Sequence, residues 1–254
     1  MHYYDDLAFS YPAFWVDRGY EHEAEVAAIH RLLGAKMFNV AVDVGGGFGR
    51  LAICLSQHAR KVIVVEPSEV QRNLIKDFAP HAQANAGDAA HTGLPSGSCD
   101  LAVMVRVAHH LPDLLPAVEE IRRILNPGGL FIFEFANSNH AKSQLRHFMR
   151  FRSVPLVPIH VNAQNIDIPF VNHHPSTVIK MLQQDGFVIE KILSVSNLRS
   201  PILKRLLPSP LLLGMERSLQ GALGRIFFGP SIFILARRSE ESNREINTAV
   251  EPKK

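Results

Sequence analysis

Three acids, each at the end of an apolar run, are the residues with the clearest capacity for chemistry. The first, Asp43, closes Val40-Ala41-Val42 and opens a glycine-rich turn, Val44-Gly45-Gly46-Gly47-Phe48-Gly49-Arg50. Glycines let a backbone turn tightly and approach a ligand without side-chain clash. A helix starting after such a turn aims its free amide N–H groups into the same crevice. An acid at that strand end repels a phosphate and attracts a cation. The second acid, Glu66, ends the next apolar run and can accept both hydroxyls of a ribose. The third lies in Gly87-Asp88-Ala89, where a carboxylate can accept from an adenine amino group while the ring packs on small side chains. Together they ask for adenine, a ribose with free hydroxyls, and a positive group beside Asp43.

The elements that must position these residues alternate. Glu21 to Leu33 has helical apolar spacing (Val26, Ile29, His30, Leu33) and stops at Gly34. Strands are expected at Asn39–Val44, Lys61–Val65, Gln83–Ala86, Cys99–Val105, Leu130–Phe135, Phe187–Leu193 and Ser231–Ala236. Helices are expected at Arg50–His58, Ser68–Phe78 (capped by Ser68), Leu114–Leu125 and Ser176–Gln184. Asn126-Pro127-Gly128-Gly129 reads as a turn. Continuous apolar strands separated by helices predict a parallel sheet covered on both faces, a doubly wound α/β fold. Two irregular stretches, 137–175 and 196–230, flank the late strands and read as helical caps. One domain is expected over 1–238, with its core at 35–136, 176–195 and 231–237, and a disordered tail at 239–254.

The combined marks resemble a class I S-adenosylmethionine-dependent methyltransferase. The likeness is to the small-molecule, quinone-biosynthesis-like group (methyltransferase type 11). The marks are Asp43-x-Gly45-x-Gly47-x-Gly49, Glu66, Gly87-Asp88-Ala89, Cys99-Asp100, His109-His110-Leu111 and Leu125-Asn126-Pro127-Gly128-Gly129-Leu130. The opening Tyr4-Asp5 with Ala8 and Tyr11 adds to them. The resemblance implies a Rossmann-like seven-stranded sheet whose last strand is antiparallel, and S-adenosylmethionine as cofactor. It implies that Asp43, Gly45, Gly46, Gly47, Phe48 and Gly49 line the methionine part. Glu66 and Pro67 would lie at the ribose, Asp88 and Ala89 at the adenine, and Val105 and Arg106 near the sulfonium. Tyr11 and the first helix would cover the cofactor.

The rival reading of the glycine turn is dinucleotide binding. Gly47-Phe48-Gly49-Arg50-Leu51-Ala52 fits the G-x-G-x-x-A form, and Glu66 falls near the expected distance. Asp43 weighs against it, because a pyrophosphate there would be repelled. A nicotinamide-dependent oxidoreductase, and a non-catalytic binder of the methyl donor, remain the alternatives. Candidates for catalysis are His109, His110 and Arg106. Either histidine could serve as a general base, although packing on the cofactor loop suits the pair better. Arg106 could hold an acidic acceptor or pair with Asp113. His140, His160, His173 and His174 show no tight ligand spacing, read as loop residues, and no metal is expected.

Lys142 to Arg152 is basic and aromatic and reads as an amphipathic lid helix, with transient contact to an anionic membrane surface as the sharper alternative. The leucines of 198–228 suggest a second cap, apolar inside. Two apolar caps point to a small hydrophobic or aromatic acceptor, methylated by in-line displacement. The 254 residues carry 27 Lys and Arg against 24 Asp and Glu, too weak a basic excess to imply nucleic acid. Two cysteines, Cys54 and Cys99, exclude a disulfide framework and a four-cysteine zinc site. Met1-His2-Tyr3-Tyr4-Asp5-Asp6 does not read as a secretory leader, and no apolar run reaches membrane-spanning length. The expected location is the cytoplasm, and the oligomeric state is left open.

Overall fold

A computed structural model describes residues 11–161 and 170–240. The opening marks from Tyr3 to Ala8 and the tail beyond Glu240 lie outside the described residues. The chain begins with α1 (Tyr11–Val16) and α2 (Gly19–Leu33), followed by β1 (Phe38–Val44), α3 (Ala52–Ser56), β2 (Ala59–Glu66), α4 (Glu69–Phe78), β3 (Gln83–Ala86) and β4 (Cys99–Met104). Next come a 3-10 turn at Ala108–His110, α5 (Leu115–Ile124), β5 (Leu125–Ala136), α6 (Ala141–Phe148), β6 (Ile159–Val161) and β7 (Phe170–Asn172). The chain closes with α7 (Pro175–Gln184), β8 (Phe187–Val195), α8 (Pro201–Leu206), α9 (Ser209–Gly224) and β9 (Ser231–Arg238).

Seven strands form one sheet in the order β3-β2-β1-β4-β5-β9-β8. The first five pair in parallel, and β9 runs antiparallel to both β5 and β8. This is the expected doubly wound sheet with its last strand reversed. Alternate residues of each strand feed opposite cores. Leu130, Ile132, Val103 and Val64 join α2 and α3 on one face, while Phe131, Phe133, Phe135, Met104 and Val65 join α5 and α7 on the other. Burial on both faces is why these strands read as unbroken apolar runs.

Several local expectations differ. The helix expected at Arg50–His58 is only α3, because Gly45, Gly47 and Gly49 take φ of 69°, 59° and 85°, which holds 46–51 in turns. The turn expected at Asn126–Gly129 lies inside β5, where the register against β4 shifts between Cys99 and Leu101. The first insertion contains the β6–β7 ribbon as well as a helix.

The second insertion is not an apolar-lined cap. α9 buries Glu216, Gln220 and Gly224 along with Leu212. Tyr20 donates its hydroxyl to Glu216 at 2.9 Å, and Gln220 donates to the Ala24 carbonyl at 3.0 Å. So α9 is a layer of the fold, fastened to α2 by polar contacts. The 141–152 lid reading also changes: α6 buries only Ser143, and Leu145, Phe148 and Met149 face solvent. None of the described helices is long and apolar enough to cross a membrane.

Candidate functional site

The sheet order reverses between β1 and β4, and the crevice beyond their carboxyl ends is where doubly wound folds take ligands. Asp43, Glu66, Asp88 and Arg106 all come to this edge. At Gly45 an added Cβ would lie 2.4 Å from Val107 Cγ2, and at Gly46 it would lie 2.6 Å from Asp43 Oδ2. The loops after β1 and β4 therefore touch across the switch point only because Gly45 lacks a side chain, and Gly46 leaves room for the Asp43 carboxylate. Gly46→Ala should fold poorly or lose ligand affinity by about tenfold or more, read by thermal melting and calorimetry.

Asp43 is buried at the end of β1, and its Oδ2 has no hydrogen-bond partner among the described residues. Burial pushes its carboxyl up to about 7; Glu66 adds to this and Arg50 opposes it. A buried carboxylate oxygen without a donor suits a cationic ligand group. Glu66 accepts the Gly47 amide on Oε2 and the Ser68 amide on Oε1, each at 2.9 Å. It therefore braces the glycine turn as well as facing the crevice, a second task the motif did not disclose. Asp88 Oδ1 accepts from the Ala90 and His91 amides, both at 2.8 Å, which fixes the exposed carboxylate beside buried Ala89.

Tyr11 lies over the glycine turn: an added Cβ on Gly47 would sit 3.1 Å from its Cε1. Burial raises its hydroxyl above the ordinary phenol range. Phe48 packs edge-on against Tyr11 and Phe78, at 5.8 and 5.0 Å between centroids, so its ring supports the turn from behind. Pro67 is exposed and its carbonyl accepts from Arg72 at 2.6 Å. Val105 is buried in the core beneath the crevice.

Arg106 does not pair with Asp113, whose Oδ1 instead accepts the Leu115 amide at 3.0 Å. It reaches Glu25 of α2, donating from Nε at 2.7 Å and from Nη2 at 2.5 Å. Arg50 donates to the other Glu25 oxygen at 2.7 Å and lies 3.8 Å over the Trp15 ring. Glu134 accepts the Arg106 amide at 2.8 Å and the Ser231 hydroxyl at 2.6 Å, holding Arg106 at φ 64°. This cluster clasps α2 to the crevice. The sequence carried one faint signal for it: Glu25 sits on the same helical stripe as Ala28, Ile29 and Leu32, where an acid is out of place.

His109 is buried, stacked 4.5 Å from Phe170 and tilted against His110 at 4.0 Å. Burial first, then His110, Arg106 and His173, holds it well below the usual imidazole range, so it stays neutral. His160 is exposed in β6, whereas the other three histidines are more than loop residues. His173 binds the Ala108 carbonyl at 3.0 Å, while His174 and His140 accept amides at the first turns of α7 and α6. No group of three potential metal ligands occurs among the described residues.

The crevice fits a donor bearing adenine, ribose and a cationic centre: the carboxylates stand at successive strand ends, and Asp43 presents a buried oxygen with no partner among the described residues. Residues 42–133 match the family described as methyltransferase domain. A probable S-adenosylmethionine-dependent methyltransferase of Mycolicibacterium smegmatis is 28% identical over 65% of this chain and 57% of its own length. An uncharacterized methyltransferase of Mycobacterium tuberculosis is 34% identical over 40% and 41%. The chain thus spans about half the length of the curated relatives it matches. Among solved structures, a methyltransferase of Thermotoga maritima, described as a possible histamine N-methyltransferase, superposes with TM-score 0.63 at 19% identity, covering 90% of this chain and 95% of that one. An S-adenosylmethionine-dependent methyltransferase of Mesorhizobium loti does so with TM-score 0.59 at 19% identity, covering 87% and 100%. These likenesses establish the fold.

Proposed function

We propose, from a chain whose core is a methyltransferase domain of the class I S-adenosylmethionine-dependent type, that the whole protein methylates a small hydrophobic or aromatic acceptor by in-line displacement. The carrying observation is Asp43, a buried carboxylate with an unpartnered oxygen at the switch point. When bound, S-adenosylmethionine would supply an electrophilic methyl group on a sulfonium. Asp43 would hold a cationic group of the donor, Glu66 its ribose hydroxyls, and Asp88 with Ala89 its adenine. Tyr11 and α2 would cover the donor and exclude water. Displacement at a sulfonium methyl needs chiefly an aligned nucleophile and a dry site. Val105 and Arg106 would help set that alignment, with His109 and His110 beside them.

The acceptor would enter from the side where the two insertions leave the sheet. Half-buried Phe170, stacked on the buried neutral ring of His109, would offer an apolar wall there. A cytoplasmic location accords with buried Cys54 and Cys99 remaining as free thiols.

The test is thermal stability with S-adenosylmethionine, S-adenosylhomocysteine, NAD and NADP in parallel. A ligand that binds only the folded state raises the melting temperature by mass action. Stabilisation by the first two is expected, followed by label transfer from the donor into solvent-extractable acceptors. Stabilisation by a dinucleotide alone would move the protein to the oxidoreductases. Donor binding with no transfer across a broad acceptor panel would make it a binding protein.

A further inference from the structure

The two insertions leave the same edge of the sheet, because β5 and β8 both run antiparallel to β9 and end where the donor crevice opens. Their roots are joined there. Asn137 donates to the Phe227 and Gly229 carbonyls at 2.7 and 2.8 Å, and the Ala141 amide to Phe228 at 2.9 Å. Beyond these roots the surface is unusually apolar. Phe148 is 76% exposed, Phe151 98%, Ile202 69% and Leu206 71%. Phe151 is held in the left-handed region, at φ 51°, an unfavourable conformation for a bulky residue. Its amide is tied to the Phe148 carbonyl at 3.0 Å, so the turn fixes the ring outward.

The charge pattern indicates what covers this surface. Residues 137–161 carry four Lys or Arg and no Asp or Glu. The chain as a whole is nearly balanced. On α6 and its continuation, Lys142, Arg146 and Arg150 recur at every fourth position, a row beside the apolar row of Leu145, Phe148 and Met149. An apolar stripe flanked by a basic stripe is the arrangement of a helix lying in a bilayer interface. Basic residues within a Debye length of an anionic leaflet add to the attraction.

We propose that 141–157 docks on an anionic phospholipid surface and turns the donor crevice toward the bilayer. Aliphatic Leu145, Leu156 and Val157 beside the phenylalanines suit acyl chains better than nucleobases. The added step, that the acceptor is a lipid-soluble molecule taken from that bilayer, rests on the methyl-transfer reading. The docking does not.

The test is co-sedimentation of the full chain with phosphatidylcholine vesicles containing or lacking phosphatidylglycerol, in low and high salt. Binding is expected only with phosphatidylglycerol, and weaker in high salt. Phe148→Glu with Phe151→Glu, and separately Arg146→Glu with Arg150→Glu, should each reduce it by roughly tenfold or more. All four residues are exposed, and unchanged melting temperatures would show that the variants fold. No sedimentation with phosphatidylglycerol vesicles, or full binding by either double variant, overturns the proposal. So does an RNA gel shift lost only in the arginine variant without vesicle binding, which would make the surface a nucleic-acid one. Vesicle binding with no donor binding by calorimetry would leave the docking standing and remove the methyl-transfer reading.

Discussion

Asp43→Asn should weaken S-adenosylmethionine binding by about a hundredfold or more and, in the same protein, raise its stability. Removing the charged partner of a buried cationic group costs about 2–5 kcal/mol of affinity. The stability gain has the opposite sign for a stated reason. Burial holds the folded carboxyl at about 7, whereas the unfolded chain releases that proton near 4. Between those values the folded state binds more proton, so stability falls as pH rises through the window and stays reduced above it. At pH 8 the penalty is on the order of 4 kcal/mol, and asparagine, which cannot ionise, removes it. The melting temperature should then rise by roughly 5–10 °C at pH 8 and hardly at all at pH 4. Wild-type donor affinity should drop about tenfold per pH unit below 7, a slope the variant loses. Calorimetry across pH reads both halves. Unchanged affinity in the variant would defeat the role given to Asp43, whatever the melting curve shows.

Residues selected for function at the expense of the fold are the ones a sequence displays most plainly. Asp43 and the run of Gly45, Gly46, Gly47 and Gly49 break the apolar and helical patterns around them, so they stand out without a partner in view. The strands were legible for the converse reason. Val64, Leu101, Phe131 and Ile234 lie in a layer apolar on both faces, and their neighbours in sequence are equally apolar. What stayed hidden depends on partners distant in the chain. Glu25 meets Arg106 across 81 residues, and Gln220 meets Ala24 across 196. Neither contact leaves a local period. The leucines of 198–228 suggested an apolar inner side, yet the inner side of α9 is set by Glu216 and Gln220, whose partners on α2 make a polar face affordable. The β6–β7 ribbon is only three residues a strand, too short for alternation to register.

Glu25→Ala carries the largest expected loss of stability, about 3–5 kcal/mol, because it leaves two guanidinium groups in a buried site without their counter-charge. Burial alone would raise the Glu25 carboxyl, but Arg106 and Arg50 overcome it and hold it below the ordinary glutamate range. Stability from this group is therefore fully present above the unfolded value near 4.3 and lost as pH falls through the depressed folded one. Glu134 of β5, which accepts the Arg106 amide, has the reverse sign: burial raises it, and Arg106 offsets only part. Urea denaturation should find Glu25→Ala destabilised at pH 7, with the deficit shrinking toward pH 3. Arg50→Met with Arg106→Met, added to Glu25→Ala, should restore a good part of the loss, because the desolvated charges are then gone. The restored triple variant also separates clasp from fold. Trp15 lies over Arg50 and Tyr11 over the glycine turn, so without the ion pairs α1 and α2 should cover the crevice loosely. Donor affinity should stay about tenfold below wild type although the protein is stable. Wild-type affinity in that variant would mean that Glu25 only holds the helix in place and contributes nothing to closing the site.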